Sequence, residues 1–213
     1  MWRFLNALLD IILPRKARVV RIESYSIEDL LPAPEEHTNH GATITTLLSY
    51  RIQAVDDLIR ALKYDRAKHA SQLLAEVLAE YLREEISSLK TFSPKEIVLV
   101  PVPLHESRKR ERGFNQVEVV LDHLPKEFKD GTLSRVDTRT LSRTRATPQQ
   151  TRLSRSERLK NVAGAFRLNN NSLQKNRVIL IDDVTTTGAT LLAASEPLRK
   201  SGIAHSLIAL AHA

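Results

Sequence analysis

Val178-Ile179-Leu180-Ile181-Asp182-Asp183-Val184-Thr185-Thr186-Thr187-Gly188-Ala189-Thr190 decides the fold class of this chain. Its first four residues are apolar and rich in β-branching, which predicts a buried strand. Two adjacent carboxylates stand at the strand's carboxyl end, a Thr/Gly turn follows, and Leu191-Leu192-Ala193-Ala194 opens a helical run. Open α/β sheets hold their ligands beyond the carboxyl ends of the strands. A small-residue turn running into a helix N-terminus offers N–H donors to an anion, and threonine hydroxyls add donors to the same place. The local chemistry is therefore a phosphate seat with two acids beside it. It is not the P-loop of ATPases, which needs a Gly-rich run ending in Gly-Lys-Ser/Thr, because no lysine lies in this turn. An ordinary βα unit shares the strand-turn-helix outline but has no need of the acid pair and the Thr-Thr-Thr-Gly turn together.

The chain has 213 residues, 42% hydrophobic and 27% charged, which suits one globular domain or one domain with a small sub-domain. Helical and strand periods alternate along it, as in the α/β class. Its net charge of +7 suits polyanionic partners, either nucleic acid or a phosphorylated small molecule. Without cysteine there is no disulfide, thiolate nucleophile or Cys-ligated zinc. No apolar run approaches the roughly 18 residues of a membrane span, so no membrane insertion is expected. Residues Trp2 to Leu13 put Phe4, Leu5, Leu8, Leu9 and Ile12 on one helical face. Asn6 and Asp10 interrupt that run, and Pro14-Arg15-Lys16 follows in place of a small-residue cleavage site. The expectation is a short amphipathic helix and a cytoplasmic protein.

Between these points the pattern predicts a short strand through Val19, Ile22 and Tyr25, then a loop-rich stretch. Thr43 to Ile52 is β-rich, with a strand expected at Ser49 to Ile52. Val55, Leu58, Ile59 and Leu62 predict a helix ending near Lys63-Tyr64, and a long amphipathic helix runs from Arg66 to Leu89, stopped at Ser93-Pro94. Ile97 to Val100 reads as a buried strand, followed by a basic loop and a helix from Phe114 to Leu124. Strands are expected at Leu133 to Leu141, Val162 to Leu168 and His205 to His212, with a long polar segment from Ser142 to Leu159. Leu191 to Ser201 reads as a helix capped by Gly202, with Pro197 kinking or shortening it.

Two stretches concentrate positive charge. Arg108-Lys109-Arg110-Glu111-Arg112-Gly113-Phe114-Asn115-Gln116 follows a predicted strand, so it lies at the same edge of the sheet as the acids. Gly113 permits close backbone approach, and Asn115 and Gln116 carry amide donors, a set suited to an anion of high charge density. The second stretch holds Arg135, Arg139, Arg143, Arg145, Arg152, Arg155, Arg158 and Lys160 against Asp137 and Glu157. Arginine's planar fork suits phosphate, so this segment can close over a diphosphate or bind a nucleic-acid backbone. Phe166 is the only aromatic near it, and no base-stacking platform is evident. The histidines are scattered without metal-ligand spacing, and only His105 falls beside the first basic stretch.

The stretch at 178–190 resembles the phosphoribosyl-diphosphate (PRPP) signature of type I phosphoribosyltransferases. Three further stretches extend the likeness. They are Val100-Pro101-Val102-Pro103-Leu104 leading to Arg112-Gly113-Phe114-Asn115-Gln116, then Gln150-Thr151-Arg152-Leu153-Ser154 through Glu157-Arg158 to Asn161-Val162-Ala163-Gly164-Ala165-Phe166, and also Ile59-Arg60-Ala61-Leu62-Lys63-Tyr64. Together they make the chain resemble the ComF family from about Leu47 onward. The resemblance implies an α/β, type I phosphoribosyltransferase fold: a mainly parallel sheet flanked by helices, with a small N-terminal hood. Residues 1–50 would form the N-terminal helix and hood, and residues 51–213 the phosphoribosyltransferase domain. Family members usually carry an N-terminal zinc ribbon. Leu8 to Arg15 resembles its lead-in, but no cysteine follows, so no zinc is expected.

Carried over position by position, the resemblance implies that Asp182 and Asp183 are the catalytic pair that binds the ribose hydroxyls of PRPP. Val184, Thr185, Thr186, Thr187, Gly188, Ala189 and Thr190 would cradle the 5′-phosphate. Arg108, Arg110, Arg112, Gly113, Asn115 and Gln116 would form the pyrophosphate loop. Arg145, Gln150, Arg152, Arg155 and Arg158 would belong to the flexible catalytic loop. Mg2+ would be bound mainly through substrate oxygens, with no metal site of the protein's own. The implied reaction displaces pyrophosphate at ribose C1 by an acceptor that the sequence does not name, read by a hood near Ser26 to Arg51. A competing expectation is a non-catalytic component of DNA-uptake machinery that keeps the fold and binds single-stranded DNA or a protein partner. A PRPP sensor without turnover is the third. Single-stranded DNA, competence proteins and a second copy of the chain are the macromolecular partners left open.

Overall fold

The computed structural model describes residues 17–39, 41–92, 95–146, 161–169 and 172–213. In chain order its elements are α1 (Ala17–Ile22), β1 (Glu35–Asn39), β2 (Ala42–Ser49), α2 (Gln53–Tyr64), α3 (Lys68–Phe92), β3 (Glu96–Pro101), α4 (Glu106–Arg112), α5 (Gln116–Asp122), β4 (Arg135–Val136), β5 (Leu141–Arg143), β6 (Phe166–Leu168), β7 (Asn176–Thr185), α6 (Ala189–Lys200) and β8 (Ala204–His212). Six strands form one sheet in the order β1-β2-β8-β7-β3-β4. Only the β1–β2 pair is antiparallel; the other neighbours run parallel. β5 and β6 make a separate antiparallel ribbon. The expected α/β architecture, a mainly parallel sheet flanked by helices, is the one the chain forms.

Side-chain alternation along the central strands builds a core on each face. Ile97, Leu99, Ile179, Ile181, Ile208 and Leu210 share one core with Ile22 of α1, Leu58 of α2, Leu74 and Leu78 of α3 and Val120 of α5. Val98, Val100, Val178, Leu180, Leu207 and Ala209 pack on the other face with Leu191, Ala194 and Leu198 of α6 and with Leu141 and Phe166 of the ribbon. A strand covered on both faces needs an unbroken apolar run, and this is why β3 and β7 stood out in the sequence.

Elsewhere the local chemistry redraws the expected boundaries. Residues 19–25 do not form a strand: Val19 and Ile22, three apart, lie on α1. That helix is tied down by charge. Arg18 pairs with Asp65, and Arg21 Nε and Nη2 each donate to Asp57 at 2.7 Å. The Tyr25 hydroxyl also donates to Asp57, at 2.9 Å. Asp57 is 3% exposed, and the Arg21 donors hold its pKa below the usual carboxylate value. Asp57→Ala leaves the Tyr25 hydroxyl and the Arg21 fork without their acceptor. It is expected to cost about 2 kcal/mol, read as a lower thermal midpoint; an unchanged midpoint would show that the network does not anchor α1.

β2 stops at Ser49, and Ile52 serves as the N-cap of α2 instead of prolonging the strand. The basic stretch after β3 is a short helix, α4, not a loop, and His105 caps it by accepting from Ser107 N–H at 3.2 Å. The expected strand from Leu133 to Leu141 is broken after Val136, where the Asp137 carboxylate accepts from Arg139 N–H at 2.8 Å and makes a turn. The polar segment expected from Ser142 begins inside β5, and of Val162 to Leu168 only Phe166–Leu168 is strand. α6 continues through Pro197 to Lys200, and Ser201 N–H closes it on the carbonyls of Pro197 and Leu198 at 3.2 Å each. The helix expected at Trp2 to Leu13 lies outside the described residues.

Candidate functional site

β7 runs on to Thr185, so Asp182 and Asp183 lie inside the strand and not just beyond it. Successive strand residues point to opposite faces, and the two acids part accordingly. Asp183 turns toward α2. Its Oδ2 pairs with Lys63 Nζ at 3.0 Å and its Oδ1 accepts from Val184 N–H at 2.7 Å. α2 starts beside β2, two strands away from β7, and its last turn delivers Lys63 to this point. Asp182 Oδ1 accepts from Asp183 N–H at 2.9 Å, and no hydrogen bond reaches its Oδ2 among the described residues. Burial, and after it the Asp183 carboxylate, raise the Asp182 pKa from 3.8 to about 7, against the opposing pull of Lys63 and Arg143. A carboxyl poised there can hold or release a proton near neutrality.

Arg143 of β5 acts on this acid electrostatically, and its guanidinium lies 5.2 Å from the Phe166 ring centre. Burial, then the neighbouring Arg108 guanidinium, lower the Arg143 pKa, while Asp182 acts the other way. Arg108 and Arg143 thus repel one another, and Asp182, itself not fully ionised, offsets this only in part. An anion bound near them relieves the repulsion.

The turn beyond the acids closes on itself. The Thr185 hydroxyl accepts from Gly188 N–H at 3.0 Å, and its side chain is buried. Gly188 has φ +76, and a Cβ there would stand 2.4 Å from Ile44 Cδ1 of β2, so the position needs glycine twice over. α6 begins at Ala189, and its first amides have no carbonyl four residues back within the helix. The positive end of the helix dipole falls at the same place. Thr186 is exposed, Thr187 and Thr190 half-exposed, and Val184 half-buried. The β1–β2 hairpin roofs the turn. The His37 and His212 rings stack at 4.2 Å, and His212 Nε2 donates to Thr186 O at 3.3 Å.

The residues expected to form a pyrophosphate loop separate. Arg108 and Arg112 line a cavity with Lys63, Tyr64, Arg66 and Phe114, whereas Arg110 is exposed and outside it. Gly113 ends α4 at φ +82, and Arg66 Nη2 crosses over it to donate to Arg112 O at 3.2 Å. Asn115 is occupied by the fold: its Oδ1 caps α5 by accepting from Val117 N–H, and its Nδ2 donates to Val102 O, both at 3.0 Å. Gln116 is 1% exposed, so neither amide faces the surface. Arg145 Nη2 donates to Asn161 O at 3.0 Å and Ala163 O at 2.7 Å, joining the two ends of the segment between β5 and β6. Gln150, Arg152, Arg155 and Arg158 lie outside the described residues. No group of three or more His, Cys, Asp or Glu able to hold a metal ion occurs among the described residues. No described helix is long and apolar enough to cross a membrane.

Competence protein F of Haemophilus influenzae is 30% identical to this chain over 159 residues, which cover 74% of the chain and 67% of that protein. The chain belongs to the ComF family. Competence protein ComFC of Bacillus subtilis is 36% identical over 118 residues, 55% of this chain and 45% of that protein. DNA utilization protein YhgH of Escherichia coli K12 is 33% identical over 150 residues, 69% of this chain and 62% of that protein. The chain therefore spans about half to two thirds of the length of these ComF relatives. No protein-family model matches it. A hypoxanthine phosphoribosyltransferase structure from Staphylococcus aureus aligns at 16% identity and a TM-score of 0.37 over 66% of this chain and 61% of that one, a likeness too slight to add to the fold described above.

Three of the stretches that resemble the ComF family adjoin the β7 stretch that carries the acids. Residues 59–64 end α2 and supply Lys63; residues 100–104 leave β3, where Val102 N–H donates to Ile181 O at 2.8 Å. Residues 112–116 join α4 to α5 and are stapled to Val102 by Asn115. Reading the sequence by charge alone missed Lys63, which looks like an ordinary last-turn helix cation. It also left Arg143 undistinguished among eight basic residues, because nothing in the pattern says which arginine the β5–β6 ribbon turns toward β7.

Proposed function

We propose that the chain is a cytoplasmic ComF-type phosphoribosyltransferase of the type I fold. It binds PRPP with Mg2+ and transfers the phosphoribosyl group to an acceptor in a process linked to competence and DNA uptake. The observation that carries this reading is the order along β7: a paired acid with one carboxylate pinned by Lys63, then a glycine-dependent turn, then the N-terminus of α6. The ribose hydroxyls would donate to Asp182 and Asp183, and the 5′-phosphate would take the amides and hydroxyls of the turn. The diphosphate would lie toward Arg108 and Arg143. Mg2+ would be held mainly by substrate oxygens and would supply positive charge to the leaving group. In the step itself an acceptor lone pair bonds to ribose C1 as the bond from C1 to the diphosphate oxygen breaks. The electron pair leaves on pyrophosphate, and any proton on the nucleophile passes to Asp182 or to water. Arginines preorganised near the leaving group stabilise the growing charge.

Isothermal titration with PRPP and Mg2+ is expected to give saturable binding. Asp183→Asn is expected to weaken it roughly 10- to 100-fold, the contribution of one charge-assisted hydrogen bond. Pyrophosphate release against a panel of bases and amines then separates turnover from sensing. The names of the relatives, competence and DNA utilization proteins, favour a second reading as a non-catalytic DNA-binding component. Absence of PRPP binding, together with single-stranded DNA binding that falls steeply with salt, would replace the first reading with the second.

A further inference from the structure

We propose that Arg66 is a positioning residue for the leaving diphosphate. From the corner between α2 and α3 it latches the corner between α4 and α5, and so fixes where Arg108 and Arg112 stand relative to the acids. This rests on the phosphoribosyltransferase reading and deepens it. Arg66 belongs to neither basic stretch of the sequence; only the fold brings it to the first of them.

Arg66 makes three contacts with one short piece of chain. Its Nη2 donates at 3.2 Å to Arg112 O, a last-turn carbonyl that α4 itself leaves unsatisfied. Its guanidinium lies 4.7 Å from the Phe114 ring centre. Between these two residues it passes over Gly113, where a Cβ would stand 2.3 Å from Nη2, so the crossing is open only because residue 113 is glycine. The same corner adds Tyr64, whose ring centre is 5.8 Å from the Arg112 guanidinium. α4 buries none of its residues, so core packing does not set its place, and contacts of this kind must. Arg66 holds its position at φ +50, which costs a non-glycine residue roughly 1–2 kcal/mol. The side chain is exposed, and strain kept where no buried packing demands the residue points to function.

The corner is a short, fixed link. Lys63 pairs with Asp183 at 3.0 Å, and Arg66 follows three residues later, so their Cα atoms lie at most about 11 Å apart. Asp65 between them is held twice. Its N–H closes α2 on Ala61 O at 2.9 Å, and its carboxylate accepts from Arg18 Nε at 3.1 Å. One end of the link is thus bonded to an acid that would hold the ribose, and the other to the stretch that would meet the diphosphate. Charge agrees with this use. A cavity of about 350 Å³ at the corner is lined by Lys63, Arg66, Arg108 and Arg112 against Asp65 and Glu111. Asp65 is engaged by Arg18, and neither Arg108 nor Arg112 has a carboxylate partner among the described residues. Cations gathered in this way repel until an anion shares them, and arginine forks match phosphate oxygens bidentately.

Isothermal titration of the whole chain with PRPP, ribose 5-phosphate and inorganic pyrophosphate, each with Mg2+, tests this. Arg66→Gly removes the latch and the left-handed strain together, so its thermal midpoint is expected to stay within roughly 4 °C of the parent's. It is expected to weaken PRPP and pyrophosphate binding at least tenfold and to leave ribose 5-phosphate within twofold, because only the first two carry a diphosphate. Arg66→Lys keeps the charge but not the planar fork, and is expected to remain at least threefold weaker than the parent for the same two ligands. Unchanged PRPP affinity in Arg66→Gly, equal loss for PRPP and ribose 5-phosphate with a lower midpoint, or full recovery by Arg66→Lys overturns the proposal. PRPP binding that ignores Arg66→Gly removes the latch and keeps the transferase reading. Pyrophosphate binding that depends on Arg66, in a chain that does not bind PRPP, keeps the latch and removes that reading. Binding of neither PRPP nor pyrophosphate by the parent overturns both.

Discussion

Gly188→Ala is expected to destabilise the fold by about 2–5 kcal/mol and to abolish anion binding at the turn before α6. Two costs add. An alanine held at φ +76 carries a left-handed penalty of roughly 1–2 kcal/mol. Its Cβ would also stand 2.4 Å from Ile44 Cδ1, and Ile44 is 1% exposed, packed in the core formed with α6. Overpacking of that kind costs about 1–3 kcal/mol. For a chain of this size each kcal/mol moves the thermal midpoint by roughly 2–4 °C, so the loss is readily seen in a melt. The function suffers as well, because relief on the backbone side moves the turn off the start of α6. The double variant with Ile44→Ala separates the two costs. Removing the Ile44 side chain relieves the clash but not the left-handed strain. The pair is therefore expected to be more stable than the sum of the two changes predicts by about 1–3 kcal/mol. Strict additivity would mean that β2 does not pack against the turn.

The same turn shows what the sequence can and cannot disclose. Glycine in a Thr-Thr-Thr-Gly run after a β-branched strand announces a turn into a helix, since periodicity and local conformational demand both lie in neighbouring residues. Which side chain forces the glycine lies far away: Ile44 belongs to a strand separated from β7 by β8, and only the folded sheet sets them together. The β3 and β7 runs were legible for the same local reason, burial on both faces. α4 was not, because Arg108 to Arg112 bury no face and the helix is fixed by the His105 cap and the Gly113 terminus. Asn115 and Gln116 looked like ligand donors because an amide is chemically the same whether it caps a helix or meets a phosphate. Burial decides between the two uses, and one sequence does not carry burial at that resolution. Lys63 and Asp183 are far apart in the chain, so their ion pair is a property of the packing of α2 over the strand ends.

The acid pair yields a second large effect, and its two members are expected to respond in opposite directions. In the folded chain Asp182 has a pKa near 7, against 3.8 for the free group, because burial and then the Asp183 carboxylate disfavour its ionised form. A folded-state pKa above the unfolded one means that the folded protein holds the proton more tightly. This contribution is fully present below about pH 4, is lost progressively as pH rises to about 7, and changes little beyond that. Asp182→Asn keeps the shape and removes the charge. It is expected to leave stability nearly unchanged at pH 4 and to raise it at pH 8 by up to about 4 kcal/mol, at about 1.4 kcal/mol per pKa unit. Asp183→Asn does the reverse at pH 8. It strands Lys63 Nζ, which now sits 3.0 Å from its partner oxygen, and a partly buried charge left without its partner destabilises the fold. Thermal melts of both variants and the parent at the two pH values decide the matter: equal shifts at pH 4 and pH 8 for Asp182→Asn would show that Asp182 is not a proton-holding acid. If the variant gains stability while losing PRPP affinity, the cost of keeping Asp182 ionisable is a property of the site and not of the fold. Ribose hydroxyls that donate to Asp182 favour its carboxylate form, so ligand binding between pH 5 and pH 7 should release protons in the parent and none in Asp182→Asn, read as a dependence of the binding heat on the buffer's ionisation enthalpy.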